Sequence, residues 1–295
     1  MFSQLNRRAC SSDRSVATTS GIYTIHGDKP LIMGILNVTP DSFSDGGKYS
    51  GVNAALHQVE LMLAEGVDIV DIGGESTRPG AEPVAASEQI LRVVPVIEAI
   101  RQCMASDFLI SIDTTLSEVA KAALDAGANI INDVSGGRAD EAILTLAAQT
   151  GVPIILMHSQ GSPKNMQDNP HYKNVVQEVL DALKESINAA LKAGIKKEAI
   201  AIDPGIGFGK RKQDNLDLLA HLDALVALDF PVLLGTSRKR FMGTICDVTE
   251  PSELVTATAV TTALGVMAGV QMFRVHDVKE NRQAADVAWA IKQSR

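Results

Sequence analysis

Residues 31–47, LIMGILNVTPDSFSDGG, decide the fold class. Leu31–Leu36 is a short, nearly continuous apolar run, the pattern of a strand covered on both faces. A long polar loop follows it directly, starting at Asn37. A dinucleotide-binding sheet would open its first helix with Gly-x-Gly-x-x-Gly, and this stretch has no such pattern. Further along the chain the same kind of run returns at Val67–Ile72, Phe108–Ile112, Asn129–Ile131, Val152–Met157, Ala199–Ile202, Val232–Leu234 and Val270–Val275. Between these runs lie segments with helical spacing, such as Val52, Ala55, Leu56, Val59 and Leu63, or Val175, Val179, Leu183 and Ile187. Gly66, Gly127, Gly151 and Gly194 stand where a left-handed residue would end such helices. Pro95, inside the periodic stretch Glu88–Ile100, is expected to kink or delay its helix.

Eight alternating units with no Pro- or Gly-rich linker between them predict an α/β protein with a single (β/α)8 TIM barrel over residues 21–295. Gly21–His26 reads as a short N-terminal strand or hairpin, and residues 1–20 as a flexible N-terminal extension. Arg7, Arg8 and Arg14 among serines and threonines give that extension a faint likeness to an organellar transit peptide, but a frayed polar terminus is the simpler reading.

Composition narrows the function. The chain has 295 residues, 45% of them hydrophobic and 21% charged, which suits an ordinary globular core. With Lys+Arg 27 against Asp+Glu 35 the net charge is -8, so neither nucleic acid nor an anionic membrane is an expected partner. Cys10, Cys103 and Cys246 are odd in number and widely spaced, which fits a reducing, cytoplasmic setting better than a zinc site or a disulfide framework. No apolar run approaches the roughly 20 residues that span a bilayer.

A barrel of this kind builds its site from the C-terminal strand ends and the loops that follow them. Those positions carry Asn37; Asp71 with Glu75, Thr77 and Arg78; Asp113; Asn132 with Asp133; His158; Asp203; Ser237 with Arg238 and Lys239; and Arg274 with His276. Asp71, Asp133 and Arg238 each adjoin a better-placed polar neighbour and read as supports, and His158 stays unassigned. Asp113, Asn132 and Asp203 suit a flat heterocycle rich in N–H groups and carbonyls, with a carboxylate metal cage as the rival reading. Arg78, Lys239, Arg274 and His276, with Thr77 and Ser237, suit an anionic group such as phosphate near the last two strands.

Two long stretches, residues 31–47 and DIGGESTRPG over residues 71–80, resemble the two signatures of the dihydropteroate synthase family. Ser111–Thr114, Ile131–Asp133, Asp203–Phe208, Thr236–Lys239 and Arg274–Asp277 extend the resemblance, which runs from about Gly21 to the end. It implies a pterin-binding catalytic domain that joins 6-hydroxymethyl-7,8-dihydropterin diphosphate to 4-aminobenzoate, a folate-biosynthesis transferase competitively inhibited by sulfonamides. By resemblance, Asp113, Asn132, Asp203 and Lys239 bond the pterin while Met157 and the Arg274 guanidinium pack on its faces. Thr77, Arg78, Arg274 and His276 hold the diphosphate, and Asn37 binds Mg2+, the implied cofactor. Phe43, Pro79, Phe208 and Ser237 line the aminobenzoate side together with Lys239. The catalytic set so implied is Asp113, Arg78, Lys239, Arg274 and His276, in a homodimer for which Val255–Val270 offers an apolar contact. The chain departs from many members by carrying Arg240 where they have a small hydroxyl residue after the lysine.

Three other functions compete at this stage. A related pterin-binding barrel passes a methyl group from methyltetrahydrofolate to a corrinoid protein, but has no need of a diphosphate pocket. An aldolase would use Lys239 as a Schiff-base nucleophile. A catalytically silent paralogue would bind pterins alone.

Overall fold

The computed structural model describes residues 29–38, 47–76, 80–104, 108–161 and 166–295, with backbone alone for 47–50. The expected extension at residues 1–20 and the Gly21–His26 strand lie outside the described residues. Eight strands are formed: β1 (Leu31–Asn37), β2 (Ile69–Gly73), β3 (Leu109–Asp113), β4 (Ile130–Asp133), β5 (Ile154–Met157), β6 (Ile200–Asp203), β7 (Leu233–Leu234) and β8 (Met272–Val275). They lie in the order β6-β5-β4-β3-β2-β1-β8-β7, and every pairing is parallel. The ring closes where Ile202 of β6 bridges Val232 beside β7, with Ile202 N–H donating to the Pro231 carbonyl at 2.9 Å. This is a (β/α)8 TIM barrel.

Helices α1 (Gly47–Ala64), α2 (Ala86–Cys103), α3 (Ser117–Asp125), α4 (Ala142–Thr150) and α5 (Val175–Lys192) follow the first five strands in turn. After β6 come α6 (Lys212–Ala220) and α7 (Leu222–Val226); after β7 come α8 (Arg240–Cys246) and α9 (Val255–Ala268); α10 (Val278–Gln293) follows β8. Helix α5 illustrates the local logic. Asn174 accepts the Gln177 N–H at 3.1 Å, and Glu178 accepts the N–H groups of Lys173 and Asn174 at 2.7 and 2.9 Å, a reciprocal cap that starts the helix. Val175, Val179, Leu183 and Ile187 then turn one apolar stripe toward the barrel. At its far end Gly194 takes φ 98, as the sequence expects of a residue ending that helix. Pro95 does not break α2, which runs through it from Ala86 to Cys103. The carbonyl its ring leaves unpaired belongs to Leu91, 57% exposed, so water can satisfy it.

Two apolar layers result from the two faces of the strands. Ile32, Leu36, Val70, Ile72, Ile110, Ile112, Ile131 and Phe273 meet the helices in the larger core. Leu31, Met33, Ile69, Ile130, Ile155, Ala201, Leu233 and Met272 fill the barrel interior. Because side chains alternate with period two, the residue two positions after each interior residue also points inward, one layer nearer the C-terminal mouth. That rule carries Ile69 to Asp71, Ile130 to Asn132, Ile155 to Met157, Ala201 to Asp203 and Met272 to Arg274. An apolar floor thus supports a polar layer.

Candidate active site

Arg274 is the hub of that layer. Its Nε donates to Asp71 Oδ2 at 2.6 Å and its Nη2 to Asp113 Oδ2 at 2.7 Å. Asn132 Nδ2 donates to the same Asp71 oxygen at 3.1 Å, a bond that fixes the amide's orientation. Asp203, at the end of β6, accepts the Gly205 N–H at 2.6 Å. Its register partner Met157 is buried beside it on β5. Across the barrel Lys239 Nζ stands 4.2 Å from the centre of the Phe208 ring, a cation–π contact. Ser237 Oγ accepts the His276 backbone N–H at 3.1 Å and lies within hydrogen-bond distance, 2.9 Å, of His276 Nδ1. At the end of β1, Asn37 Oδ1 and Asp113 Oδ2 converge over Gly73, where a Cβ would lie 3.6 and 3.7 Å from them.

Comparisons with known proteins identify the family. The family model described as pterin binding enzyme matches residues 33–276. A dihydropteroate synthase of Streptococcus pyogenes is 49% identical over 268 residues, covering 90% of this chain and 97% of the relative. The chain belongs to the dihydropteroate synthase family. Among solved members, the Xanthomonas albilineans dihydropteroate synthase with 4-aminobenzoic acid superposes with a TM-score of 0.83 at 45% identity, covering 90% of this chain and 94% of that one. The Clostridium difficile dihydropteroate synthase crystallised in the presence of pteroic acid gives a TM-score of 0.83 at 42% identity over 89% and 97% of the two chains.

Burial sets the ionisation of the site. It pushes the Asp113 carboxyl up to about 7, against the lowering pull of Arg274 and with further upward pushes from Asp71, Asp133 and Glu75. Asp203 rises to about 6 for the same first reason, restrained by the Gly205 N–H and by Lys239. Lys239 falls to about 8 through burial and the nearby Arg274 charge. Arg274 loses some basicity to burial, but Asp71 and Asp113 more than restore it, so its charge is secure. His276 is lowered to about 3 by burial and then by Arg238 and Arg274. The sequence counts His276 among the cations, whereas its surroundings keep it a neutral imidazole near pH 7.

The remaining strand-end residues divide by what they touch. Glu75 accepts the Val84 N–H and Gln89 Nε2, each at 3.0 Å, and so ties the loop after β2 to α2. Asp133 accepts the N–H groups of Ser135 and Gly137 at 2.8 and 2.6 Å, bracing the loop after β4. Arg238, at φ 58, pairs with Asp277 at 2.5 Å and joins the loops after β7 and β8. Phe43, Thr77, Arg78 and Pro79 lie outside the described residues. Among the described residues no group of three or more His, Cys, Asp or Glu can hold a metal, so the carboxylate cage has no donor set there. Lys210, which sequence reading passed over, is buried with Nζ 2.9 Å from His158 Nδ1. Its one sequence signal is its position directly after Gly207-Phe208-Gly209 in the loop after β6.

Proposed function

We propose that the chain condenses 6-hydroxymethyl-7,8-dihydropterin diphosphate with 4-aminobenzoate to give 7,8-dihydropteroate and pyrophosphate. The observation that carries this reading is the buried layer of Asp113, Asn132 and Asp203 beside Arg274 and Lys239. Asn132 and Asp203 offer hydrogen-bond partners for the aminopyrimidinone edge of a pterin, and Met157 and the Arg274 plane supply its two flat faces. Arg274, His276 and Ser237, with Thr77 and Arg78, hold the diphosphate. As the C–O bond breaks, its electron pair leaves on the diphosphate, and these donors meet the developing charge. The electron-poor methylene left behind is steadied by ionised Asp113. The arylamine nitrogen then bonds to it, and the amine proton departs with pyrophosphate. Phe208, Lys239 and Ser237, with Phe43 and Pro79, bound the space for 4-aminobenzoate.

Mg2+ fits this site as an ion carried by the diphosphate. Asn37 contributes one hard oxygen beside Asp113, and Mg2+ commonly takes few protein ligands, filling its shell with phosphate oxygens and water. When bound it neutralises charge on the leaving diphosphate.

The second copy of a homodimer would cover the outer face of α9 and α10. Val260, Leu264, Val287 and Ile291 are each more than half exposed there, and the last three line an apolar groove of about 630 Å³. Four of the eight exposed large hydrophobics of the described residues gather on this helix pair, the self-complementary kind of patch that a two-fold contact uses. Free Cys103 and Cys246 support a reducing, cytoplasmic setting, and no helix of the described residues is long and apolar enough to cross a membrane.

The test is direct. Purified protein is mixed with the dihydropterin diphosphate, 4-aminobenzoate and Mg2+, and both products are followed. Stoichiometric, Mg2+-dependent appearance of dihydropteroate and pyrophosphate is expected. Pterin diphosphate binding without turnover would turn the assignment to a silent pterin-binding paralogue.

A further inference from the structure

Lys210 and His158 are buried titratable side chains beside the site that the proposed reaction does not use. Lys210 Nζ donates to the Gly205 carbonyl at 2.8 Å and to the Phe208 carbonyl at 3.1 Å, and it stands 2.9 Å from His158 Nδ1. An ammonium has three N–H groups, and these acceptors, with the more distant His158 carbonyl at 3.5 Å, take up all three. None of them is a carboxylate; the Asp203 and Asp214 charges support the ammonium from further away, against burial. A methionine or leucine would fill the same space without the cost of burying a charge. What the ammonium adds is three fixed directions, two of them into the loop between β6 and α6.

That loop has two kinds of anchor. Asp203 at its start is held by the sheet, paired in register with Met157 and accepting the His158 N–H on its carbonyl at 2.9 Å. Phe208 lies outside any strand or helix, between Gly207 and Gly209 at φ 83 and 60. Its backbone is held by its own N–H on the Gly205 carbonyl at 3.1 Å and by Lys210 on its carbonyl. The loop's flanks press against the end of β5: a Cβ on Gly205 would lie 1.9 Å from the His158 carbonyl oxygen, and one on Gly209 2.3 Å from that of Gln160. The Phe208 ring, fixed in this way, carries Lys239 Nζ on its face.

We propose that Lys210, braced by His158, is a positioning residue for the second substrate: it sets the Phe208 ring and, through it, the Lys239 ammonium, while leaving the pterin acceptors to the sheet. This rests on the reading that 4-aminobenzoate enters past Phe208 and Lys239. Burial lowers His158 to about 3 and Lys210 to about 7, so Nδ1 stays free to accept from Nζ, and does so from a full ammonium below about pH 7.

The experiment is a split between the two substrates, made with the full chain. In Lys210→Met the KM for 4-aminobenzoate rises about tenfold, the loss expected for a charge-assisted hydrogen-bond network, and the dissociation constant for a pterin alone stays within about twofold. His158→Leu, a milder change should Lys210→Met fail to fold, raises the same KM by about threefold, and His158→Gln, which returns an acceptor oxygen, restores it. Equal losses for both ligands, or no change in KM in either loss variant, overturn the proposal. A wild-type chain that makes no dihydropteroate refutes the reaction and this inference together, whereas normal wild-type kinetics with an unshifted Lys210→Met refute the inference alone.

Discussion

Asp71→Asn isolates the electrostatics of the Arg274 clamp, because it deletes one charge and keeps the outline of the side chain. Asp71 and Asp113 each hold one nitrogen of the same guanidinium, at 2.6 and 2.7 Å, so two carboxylates share one cation inside the barrel. Burial raises Asp113 to about 7, Arg274 pulls it down, and the Asp71 charge pushes it up again. Two unit charges about 6 Å apart repel by roughly 3 kcal/mol at an effective dielectric constant of about 20. Arg274 shifts toward whichever carboxylate remains charged, and with half of that repulsion taken as effective the Asp113 pKa falls by about one. In the proposed reaction ionised Asp113 is the form that steadies the reacting methylene, so kcat/KM is expected to climb with pH through the Asp113 titration. In Asp71→Asn that climb comes about one pH unit lower. The assay is pyrophosphate release from pH 5 to pH 9, set about the Asp113 titration near 7. Stability carries the opposite sign. A carboxyl raised above its ordinary 3.8 favours folding most below that pH and loses the contribution as pH rises through about 7, a window that Asp71→Asn narrows. The neutral amide weakens the bonds to Arg274 and Asn132 at a cost of about 1–2 kcal/mol in denaturant unfolding. An acid limb that stays in place or moves upward refutes the reasoning.

Gly205→Ala places a methyl 1.9 Å from the His158 carbonyl oxygen at φ 67, and is expected to cost about 3 kcal/mol or more, read by chemical unfolding. Gly151→Ala, at φ 70 with nothing within 4 Å, costs only about 1–2 kcal/mol, so equal losses would contradict the steric account. Asn37→Ala raises the Mg2+ concentration needed for half-maximal rate by about tenfold and leaves binding of a diphosphate-free pterin unchanged, which a metal titration beside calorimetry checks. Leu264→Glu with Val287→Glu gives a monomer by sedimentation with an unchanged far-ultraviolet spectrum; a wild-type chain that is itself monomeric at assay concentration removes the α9–α10 face from consideration.

The barrel is legible in the sequence because parallel strands buried on both faces leave uninterrupted apolar runs, and the run Leu31–Leu36 is recovered almost residue for residue in β1. Boundaries are less legible. Asn129 is grouped with the apolar run ahead of β4, but its side chain serves Arg101 and the Ile110 N–H, and the strand instead extends to Asp133. The connections after β6 and β7 each split into two helices, the first broken at His221 and the second at Asp247, which takes φ 56. Most of the polar layer is legible through the period-two rule acting on the interior residues. Lys210 is not, since no pattern in the chain announces that three acceptors from two loops will converge on one ammonium.

Charge state is the other quantity that residue types alone do not give, and it bears on how the diphosphate is held. Sequence reading counts Arg78, Lys239, Arg274 and His276 as four positive groups. Of the three in the described residues, His276 is neutral, Lys239 is lowered to about 8, and Arg274 is committed to Asp71 and Asp113. Against Arg274 and Lys239 stand Asp71, Asp113 and Asp203, so these protein groups hold no surplus of positive charge when all are ionised. A diphosphate entering it needs cations from elsewhere, and Arg78 with a substrate-borne Mg2+ at Asn37 would supply them. On the proposed reading, the same balance would let a chain of net charge -8 accept so anionic a substrate, its attraction being completed by an ion brought with the ligand.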